Sequence, residues 1–201
     1  IIPLLFLNSF LFSYYVYGDT VSIEDQSYPL NVCYGDYSDE ILRLSDFNGD
    51  LNGGYYNVIV FRLTASWWGP SCAEVPSFDN LHNIFDNEPV VIFENIDDLN
   101  QPYSCSQWGN LGTSGIPLIV DDSGYPMFNM FNTESAFPST VYIDHNMEIY
   151  YMEAGYSASF TSFANSLIED MVYNMENSLI MSSTFNSTIV NGDNDNVINP
   201  G

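Results

Sequence analysis

Three cysteines, Cys33, Cys72 and Cys105, are the most reactive side-chain types in this 201-residue chain. Cys72 follows an apolar run of strand length and the turn residues Trp67-Trp68-Gly69-Pro70-Ser71, and apolar residues then recur at helical spacing to about Phe85. A cysteine at the start of a helix lies near unpaired backbone N–H groups and the positive end of the helix dipole, which stabilise a thiolate. Its pKa can fall from about 8.5 to between roughly 3.5 and 7.5. The pattern therefore predicts thiol chemistry at this junction.

The composition restricts the partners of such a site. The chain carries 26 acidic and 2 basic residues, for a formal net charge of −24. This field repels phosphate backbones and excludes nucleic-acid binding. A hydrophobic content of 46% and an aromatic content of 16% favour one folded core over acidic disorder. Lys is absent and Asn is frequent, which fits either a halophile-like acidic surface or a gene in which a Lys codon is read as Asn.

Alternating strands and helices must position these cysteines. Runs of β-branched and apolar residues predict strands at 57–63, 90–93, 116–120, 140–144 and 147–152. Helical spacing predicts helices from Cys72 to about residue 85, at 102–111, with Pro102 at its start, and from residue 160 to 171. This order predicts an α/β fold with a central mixed sheet flanked by helices, preceded by an N-terminal extension.

Three segments are expected along the chain. Residues 1–18 are uncharged up to Gly18 and read as a signal peptide whose start is missing, with Val16 and Gly18 as the small residues of a cleavage site. An uncleaved anchor is the alternative, and only this segment would contact a membrane. Residues 19–176 form the domain, and residues 177–201 form a polar linker or a truncated C-terminal extension. Export predicts a periplasmic or extracellular protein.

The order W-W-G-P-S-C-A-E-V-P, from Trp67 to Pro76, resembles the thioredoxin-like superfamily. It is similar in particular to the exported TlpA and redoxin (AhpC/TSA-like) branch, where W-C-x-P-C-x-x-E-x-P follows the first core strand. The segment Phe137-Pro138-Ser139-Thr140 resembles the cis-proline and following strand of that family, and Leu44 to Gly49 is similar to its L-x-D-x-x-G stretch. The resemblance covers residues 32–173 and implies a thioredoxin-like fold.

The active-site motif departs from the family at the nucleophile. Aligning Cys72 with the second family cysteine places Gly69 at the first, and glycine has no thiol. Trp68 is the other position to examine: if an opal codon is read as Trp, residue 68 is Cys or selenocysteine, with three residues between it and Cys72. In the implied fold, the helix beginning near Cys105 comes close to the active site. A Cys72–Cys105 disulfide and two buried free thiols are the alternatives.

The resemblance implies an exported thiol–disulfide oxidoreductase or redoxin that acts on protein thiols or disulfides. Its active site would be atypical and would comprise Cys72, Cys105 and the positions of Gly69 and Trp68. A redox-inactive module that binds extended peptides is the alternative. In both, Trp67, Pro70, Phe137 and Pro138 would contact the substrate. Cys33 is expected to be unpaired or intermolecular. No cofactor and no metal is expected, since His82 and His145 lie on separate elements.

Overall fold

The computed structural model describes residues 14–37, 40–121, 124–155 and 160–190. Within them, seven strands form one sheet. The strands are β1 (Leu30–Tyr34), β2 (Ile41–Leu42), β3 (Val58–Ala65), β4 (Val90–Asp97), β5 (Leu118–Val120), β6 (Ser139–Ile143) and β7 (Ile149–Ala154). Their order across the sheet is β2-β1-β5-β4-β3-β6-β7. Strands β3, β4 and β5 are parallel, whereas β6 runs antiparallel to β3 and β1 runs antiparallel to β5. The predicted mixed sheet is therefore confirmed.

The described helices pack on both sides of this sheet. They are α1 (Ile23–Gln26), α2 (Gly49–Asn52), α3 (Gly69–Ile84), α4 (Cys105–Gly109), α5 (Pro126–Phe131) and α6 (Phe160–Val190), with a 3-10 helix at Leu44–Phe47. Helix α3 has Pro70 in its first turn, where proline fits because the N–H groups there have no partner within the helix. Helix α4 begins at the capping residue Ser104, whose hydroxyl accepts from the N–H of Gln107 at 3.3 Å. Pro102 precedes this helix and does not open it, so that detail of the prediction is wrong.

The central strand β3 divides the core into two hydrophobic clusters. All eight of its residues are buried, and successive side chains point to opposite faces of the sheet. Val58 and Val60 join the cluster covered by α3 and α6, which we call the helix-α3 face. Phe61 and Leu63 join the cluster that contains α5 and the N-terminal segment. All three cysteines pack against the cluster on the helix-α3 face.

The closing helix α6 is longer than the sequence predicts. Ala164, Ile168, Met171 and Met175 recur at helical spacing and are buried. The helix then continues through the polar segment that begins at residue 177 and ends at Val190. Ser178, within that segment, contacts Nε2 of His145 with its hydroxyl at 3.0 Å. Residues 191–201 lie outside the described residues. No described helix is long and apolar enough to cross a membrane.

The N-terminal extension is part of the folded body from Tyr14 onward. Most of the predicted signal peptide, residues 1–13, lies outside the described residues. Tyr15, however, is buried, and its ring stacks on Phe131 with 5.1 Å between the centroids. Its hydroxyl donates to Asp25 and accepts from the N–H of Ser22. Cleavage after Gly18 would remove these contacts.

Candidate functional site

The residues predicted to contact a substrate gather where β3 ends and β6 begins. Trp67 lies in the turn after β3 and is 54% exposed, and Pro70 is half-buried in the first turn of α3. Leu63 pairs with Ser139, so Pro138 lies at the same end of the sheet. The Phe137–Pro138 peptide bond is cis. The rings of Trp67 and Phe137 are 6.4 Å apart between centroids. We call this region the Trp67 end of the sheet.

Trp68 and Gly69 form the start of helix α3. Trp68 is the N-cap residue and is 42% exposed, and Gly69 is the first helical residue. A Cβ atom built on Gly69 would meet no other atom within 4 Å. Its φ angle also lies outside the left-handed region, so neither space nor backbone conformation requires glycine there. Both positions would accept a cysteine side chain.

Cys72 is a half-buried free thiol in the first turn of the same helix. Its own N–H donates to the carbonyl of Trp68 at 3.2 Å, so it is already bonded within the helix. The sulfur lies 3.8 Å from the carbonyl oxygen of Ser66. Burial raises the pKa of the Cys72 thiol, the charge of Glu94 raises it further, and the backbone N–H of Cys72 acts in the opposite direction. The lowered pKa that a cysteine at a helix start can acquire is therefore not found at Cys72.

Cys105 forms a disulfide with Cys33, and the Cα atoms are 6.2 Å apart. This overturns three expectations: Cys105 does not pair with Cys72, Cys105 is not a free thiol, and Cys33 is neither unpaired nor intermolecular. The physical reason is the sheet order. Strand β1, which carries Cys33, pairs with β5 and so lies beside helix α4, whose first residue is Cys105. Cys72 is left as the single free cysteine of the chain.

Ser71 is a site residue that the sequence reasoning missed. It is fully buried in the first turn of α3, and its hydroxyl has no hydrogen-bond partner among the described residues. The sequence did carry a signal. When W-C-x-P-C-x-x-E-x-P is matched without a gap, Glu74 and Pro76 take the family positions, and the two cysteine positions fall on Trp68 and Ser71. This alignment and the one through Cys72 therefore predict different positions for the first cysteine.

A buried charged group lies in the core of the helix-α3 face. Arg62, in the middle of β3, is fully buried, and its Nη1 lies 3.3 Å from Oε2 of the buried Glu74. The guanidinium carbon lies 4.4 Å and 4.3 Å from the ring centroids of Phe78 and Phe160. Removing one partner of such a pair leaves a buried charge without compensation, so these residues depend on each other. A single arginine within an apolar strand was the sequence signal for this pair.

Glu94 extends this charged group toward Cys72. It faces Arg62 across the parallel pair of β3 and β4, and its Oε2 accepts from Nε1 of the buried Trp108 at 2.7 Å. Burial raises the pKa of Glu94 to about 7, although the charge of Arg62 and the bond from Trp108 lower it. Glu94 therefore exchanges its proton near neutral pH, and its charge affects the thiol of Cys72.

Acidic side chains also collect at the Trp67 end of the sheet. Asp97 is the last residue of β4, and Asp121 follows β5. Burial, and then the charge of Asp121, raises the pKa of Asp97 to about 9. The carboxylate of Asp121 accepts from the N–H groups of Met127 and Phe128, at 3.0 and 2.9 Å, at the start of α5. The sequence did not predict Asp97 and Asp121 as site residues, because they come together only when β4 and β5 pair in the folded sheet.

The two histidines lie apart. His82 is on helix α3, and His145 is in the turn between β6 and β7, where it contacts Ser178. Within the described ranges, no group of three His, Cys, Asp or Glu side chains is arranged to hold a metal ion.

Similarity to known proteins comes from structure rather than sequence. No protein-family model and no curated protein sequence matches the chain. A protein assigned as the thiol:disulfide interchange protein DsbE of Chlorobium tepidum superposes with a TM-score of 0.60 at 16% identity, over 80% of this chain and 99% of the other. A protein assigned as a protein disulfide isomerase of Bacteroides thetaiotaomicron gives 0.61 at 17% identity, over 79% and 91%. The exposed lipoprotein thioredoxin Etrx1 of Streptococcus pneumoniae gives 0.54 at 18%, over 71% and 98%. With a mixed central sheet between helices, and with the start of α3 and Pro138 at one end of it, the chain has the thioredoxin-like fold.

Proposed function

We propose that the protein is an exported thiol–disulfide exchange protein whose single reactive thiol is Cys72. One observation carries the proposal: the only free cysteine lies in the first turn of helix α3, at the end of the sheet where Trp67 and Pro138 also lie. Cys33 and Cys105 are held in a disulfide with each other. The substrates would be protein thiols and disulfides.

One thiol limits the chemistry that this site can perform. The Cys72 thiolate would attack one sulfur of a substrate disulfide, forming a mixed disulfide and releasing the other substrate sulfur as a thiolate. Since Trp68, Gly69 and Ser71 carry no thiol, a second thiol of the substrate must attack the mixed disulfide and release Cys72. This sequence rearranges disulfides with no net transfer of electrons. Net reduction would need an external thiol as the electron donor.

The raised pKa of Cys72 supports slow exchange at neutral pH. The thiolate is the nucleophile, and burial keeps most Cys72 in the thiol form. The same property argues against efficient peroxide reduction, which also begins with attack by a thiolate. We expect exchange to accelerate as the pH rises above 8.

Three observations support export. Disulfides persist in oxidising compartments, and the chain contains one that joins residues 72 positions apart. The segment before Tyr14 is apolar and uncharged, as in a secretory signal. Among the structural neighbours, a disulfide oxidoreductase of Mycobacterium tuberculosis is described as secreted. A periplasmic or extracellular location follows from the proposal.

The test is trapping of the mixed disulfide. The protein is incubated at pH 8.5 with an excess of a peptide disulfide, and adducts are measured by intact mass and peptide mapping. We expect one adduct per chain, on Cys72, and none in Cys72→Ser. Cys33→Ser/Cys105→Ser with Cys72 intact is the matched control and should still form the Cys72 adduct. Absence of an adduct from the folded wild-type protein would refute the proposal.

A redox-inactive peptide-binding module is the second candidate. It is favoured by the first turn of α3, where the two cysteine positions of the gap-free alignment hold Trp68 and Ser71, and by the exposed rings of Trp67 and Trp68. Such rings bind ligands without covalent chemistry. This candidate predicts that Cys72→Ser binds extended peptides as tightly as the wild type. If the wild type instead captures peptides covalently, the peptide should stay with the wild-type protein in a non-reducing gel and should not stay with Cys72→Ser.

A further inference from the structure

Two exposed aromatic side chains at the Trp67 end of the sheet are joined by one carboxylate. Nε1 of Trp67 donates to Oδ2 of Asp98 at 2.7 Å, and the hydroxyl of Tyr125 donates to Oδ1 of Asp98 at 2.9 Å. Trp67 is 54% exposed and Tyr125 is 42% exposed. Each oxygen of an ionised carboxylate has two acceptor sites, so Asp98 can still accept another donor. Trp67 comes from the turn after β3 and Tyr125 from the residue before α5, so the fold assembles this arrangement.

The loop that carries Asp98 is held in place by the backbone of its neighbours. The hydroxyl of Ser66 donates to the carbonyls of both Asp98 and Gln101 at 3.0 Å. Asp98 has a φ of 55°, in the left-handed region, which Asp and Asn adopt more readily than most residues. The carboxylate is therefore positioned before any ligand arrives, which lowers the entropic cost of binding.

Among the described residues, no basic side chain forms a salt bridge with Asp98. The hydrogen bond to Asp98 is the main cause that raises the pKa of Tyr125, and the charge of Asp121 raises it further. Asp97, whose own pKa is about 9, is protonated and uncharged at neutral pH. The chain has only two basic residues. Arg62 is buried against Glu74, and Arg43 follows β2, an edge strand three places across the sheet from β4, the strand that precedes Asp98. A cation supplied by a ligand would therefore meet, in Asp98, a carboxylate that has no cationic partner among the described residues.

We propose that Trp67, Asp98 and Tyr125 form a subsite for a Lys or Arg side chain of an extended polypeptide bound at the Trp67 end of the sheet. The carboxylate of Asp98 pairs with the ammonium or guanidinium group, and the two aromatic rings contact the aliphatic stem and the cation. The inference rests on the proposed function, because it names the substrate class of that same site: basic polypeptides. It also gives the net charge of −24 a role in attracting them.

The first test changes the ligand and leaves the protein intact. A fluorescein-labelled peptide of alternating Ser and Lys is compared with its counterpart carrying norleucine in place of Lys, by fluorescence anisotropy with the full chain at low salt. Norleucine keeps the stem and removes the charge. We expect the Lys peptide to bind at least tenfold tighter and to weaken as salt is added. Equal binding of the two peptides, or binding of neither, would overturn the inference.

The second test separates the subsite from the overall charge. Asp98→Asn keeps the size, the backbone preference and an acceptor for Trp67 while removing the charge. Asp86→Asn removes the same charge from an exposed position after α3, away from the Trp67 end of the sheet. We expect Asp98→Asn to weaken the Lys peptide about tenfold and to leave the norleucine peptide unchanged, and Asp86→Asn to change neither by more than twofold. Equal losses in the two variants would mean non-specific attraction and would refute the subsite.

Trapping of the Cys72 adduct in the wild-type protein, with a neutral peptide disulfide, distinguishes this inference from the proposed function. If that adduct forms and the selectivity for Lys is lost in Asp98→Asn, both proposals are supported. If the Lys selectivity depends on Asp98 but the wild-type protein forms no adduct, the subsite stands and belongs to a binding module.

Discussion

Cys72 and the Cys33–Cys105 disulfide pack against the same hydrophobic cluster, but their surroundings give them different chemistry. The disulfide joins β1 to helix α4 and thereby ties the N-terminal extension to the side of the sheet. Cys72 lies in the first turn of α3, with its N–H already bonded and its thiol held in the neutral form by burial. Position in a helix and burial, more than the presence of a cysteine, determine which sulfur can react.

Cysteines can serve two different purposes in a thioredoxin-like fold. A thioredoxin-like active site with two cysteines in one helical turn transfers electrons, whereas here the chain's only disulfide connects distant segments. The site at α3 contains Trp67, Trp68, Pro70 and one free thiol, Cys72.

Restoring a second thiol at α3 should produce the largest change. Trp68→Cys/Ser71→Cys creates a pair with two residues between the cysteines, and so does Gly69→Cys together with the existing Cys72. In each variant the cysteine nearer the helix start should have a lowered pKa, and the later one should resolve the mixed disulfide. We expect reduction of insulin disulfides by a thiol donor to rise by about two orders of magnitude or more over wild type.

The two designs also decide the alignment. We expect Gly69→Cys to fold as stably as wild type, since a Cβ atom there has open space within 4 Å and the backbone conformation does not require glycine. Trp68→Cys and Ser71→Cys alone are the matched controls. Greater activity of the double variant would support the gap-free alignment, and greater activity of Gly69→Cys would support the alignment through Cys72. Activity at the wild-type level in both designs would contradict the assignment of this turn as a thiol site.

Removing the disulfide should affect stability far more than removing the free thiol. Cys33→Ser/Cys105→Ser frees a crosslink between residues 72 positions apart, and the loop-entropy model predicts a loss of about 4 kcal/mol in the free energy of unfolding. Cys72→Ser should cost about 1 kcal/mol or less, because the thiol is only half-buried. Urea unfolding of both variants measures the difference. Equal losses would show that the disulfide does not stabilise the extension.

The titration of Glu94, near the core of the helix-α3 face, should make the free energy of unfolding depend on pH. Its pKa is about 7 in the folded protein and near 4.3 in the unfolded chain, so the folded state binds more protons between these values. The contribution of Glu94 to the free energy of unfolding is therefore greatest below pH 4.3. It falls by on the order of 3 kcal/mol as the pH rises to about 7. Glu94→Gln should remove this part of the slope and still accept from Trp108.

Thermal unfolding of wild type and Glu94→Gln between pH 4.5 and 7.5 provides the measurement. Glu88→Gln, at an exposed position before β4, is the control for net charge and should keep the wild-type slope. A Glu94→Gln protein with an unchanged slope would contradict the raised pKa.

The smallest expected effect links Glu94 to the reactivity of Cys72. The charge of the Glu94 carboxylate contributes to the raised pKa of the Cys72 thiol. In Glu94→Gln, iodoacetamide should therefore alkylate Cys72 about two- to threefold faster than in wild type at pH 8. The Cys33–Cys105 disulfide should stay intact in the same samples. Iodoacetamide labelling followed by peptide mapping measures both. An unchanged rate would show that burial alone controls the thiol.

Much of the central fold could be predicted from local pattern. The buried run before Trp67 predicted β3, the helical spacing after Cys72 predicted α3, and the order of elements predicted a mixed sheet. Strand β1 and its place beside β5 were not predicted, since its alternation of apolar and polar residues, Leu30-Asn31-Val32, is too short to be distinctive. Helix α6 was cut short because Ser, Thr and Asn after residue 176 suggested a linker, whereas packing and the contact of Ser178 with His145 extend the ordered helix.

The sequence by itself determined the types of the central elements, the acidic charge and the presence of a cysteine in the first turn of a helix, because these properties depend on neighbouring residues. The tertiary structure decided that Cys33 pairs with Cys105, that Arg62 finds Glu74, and that Asp98 joins Trp67 to Tyr125. Each of these depends on strand order, which brings distant residues together. The pKa of Cys72 belongs to the same class, because its main cause is burial by the folded core.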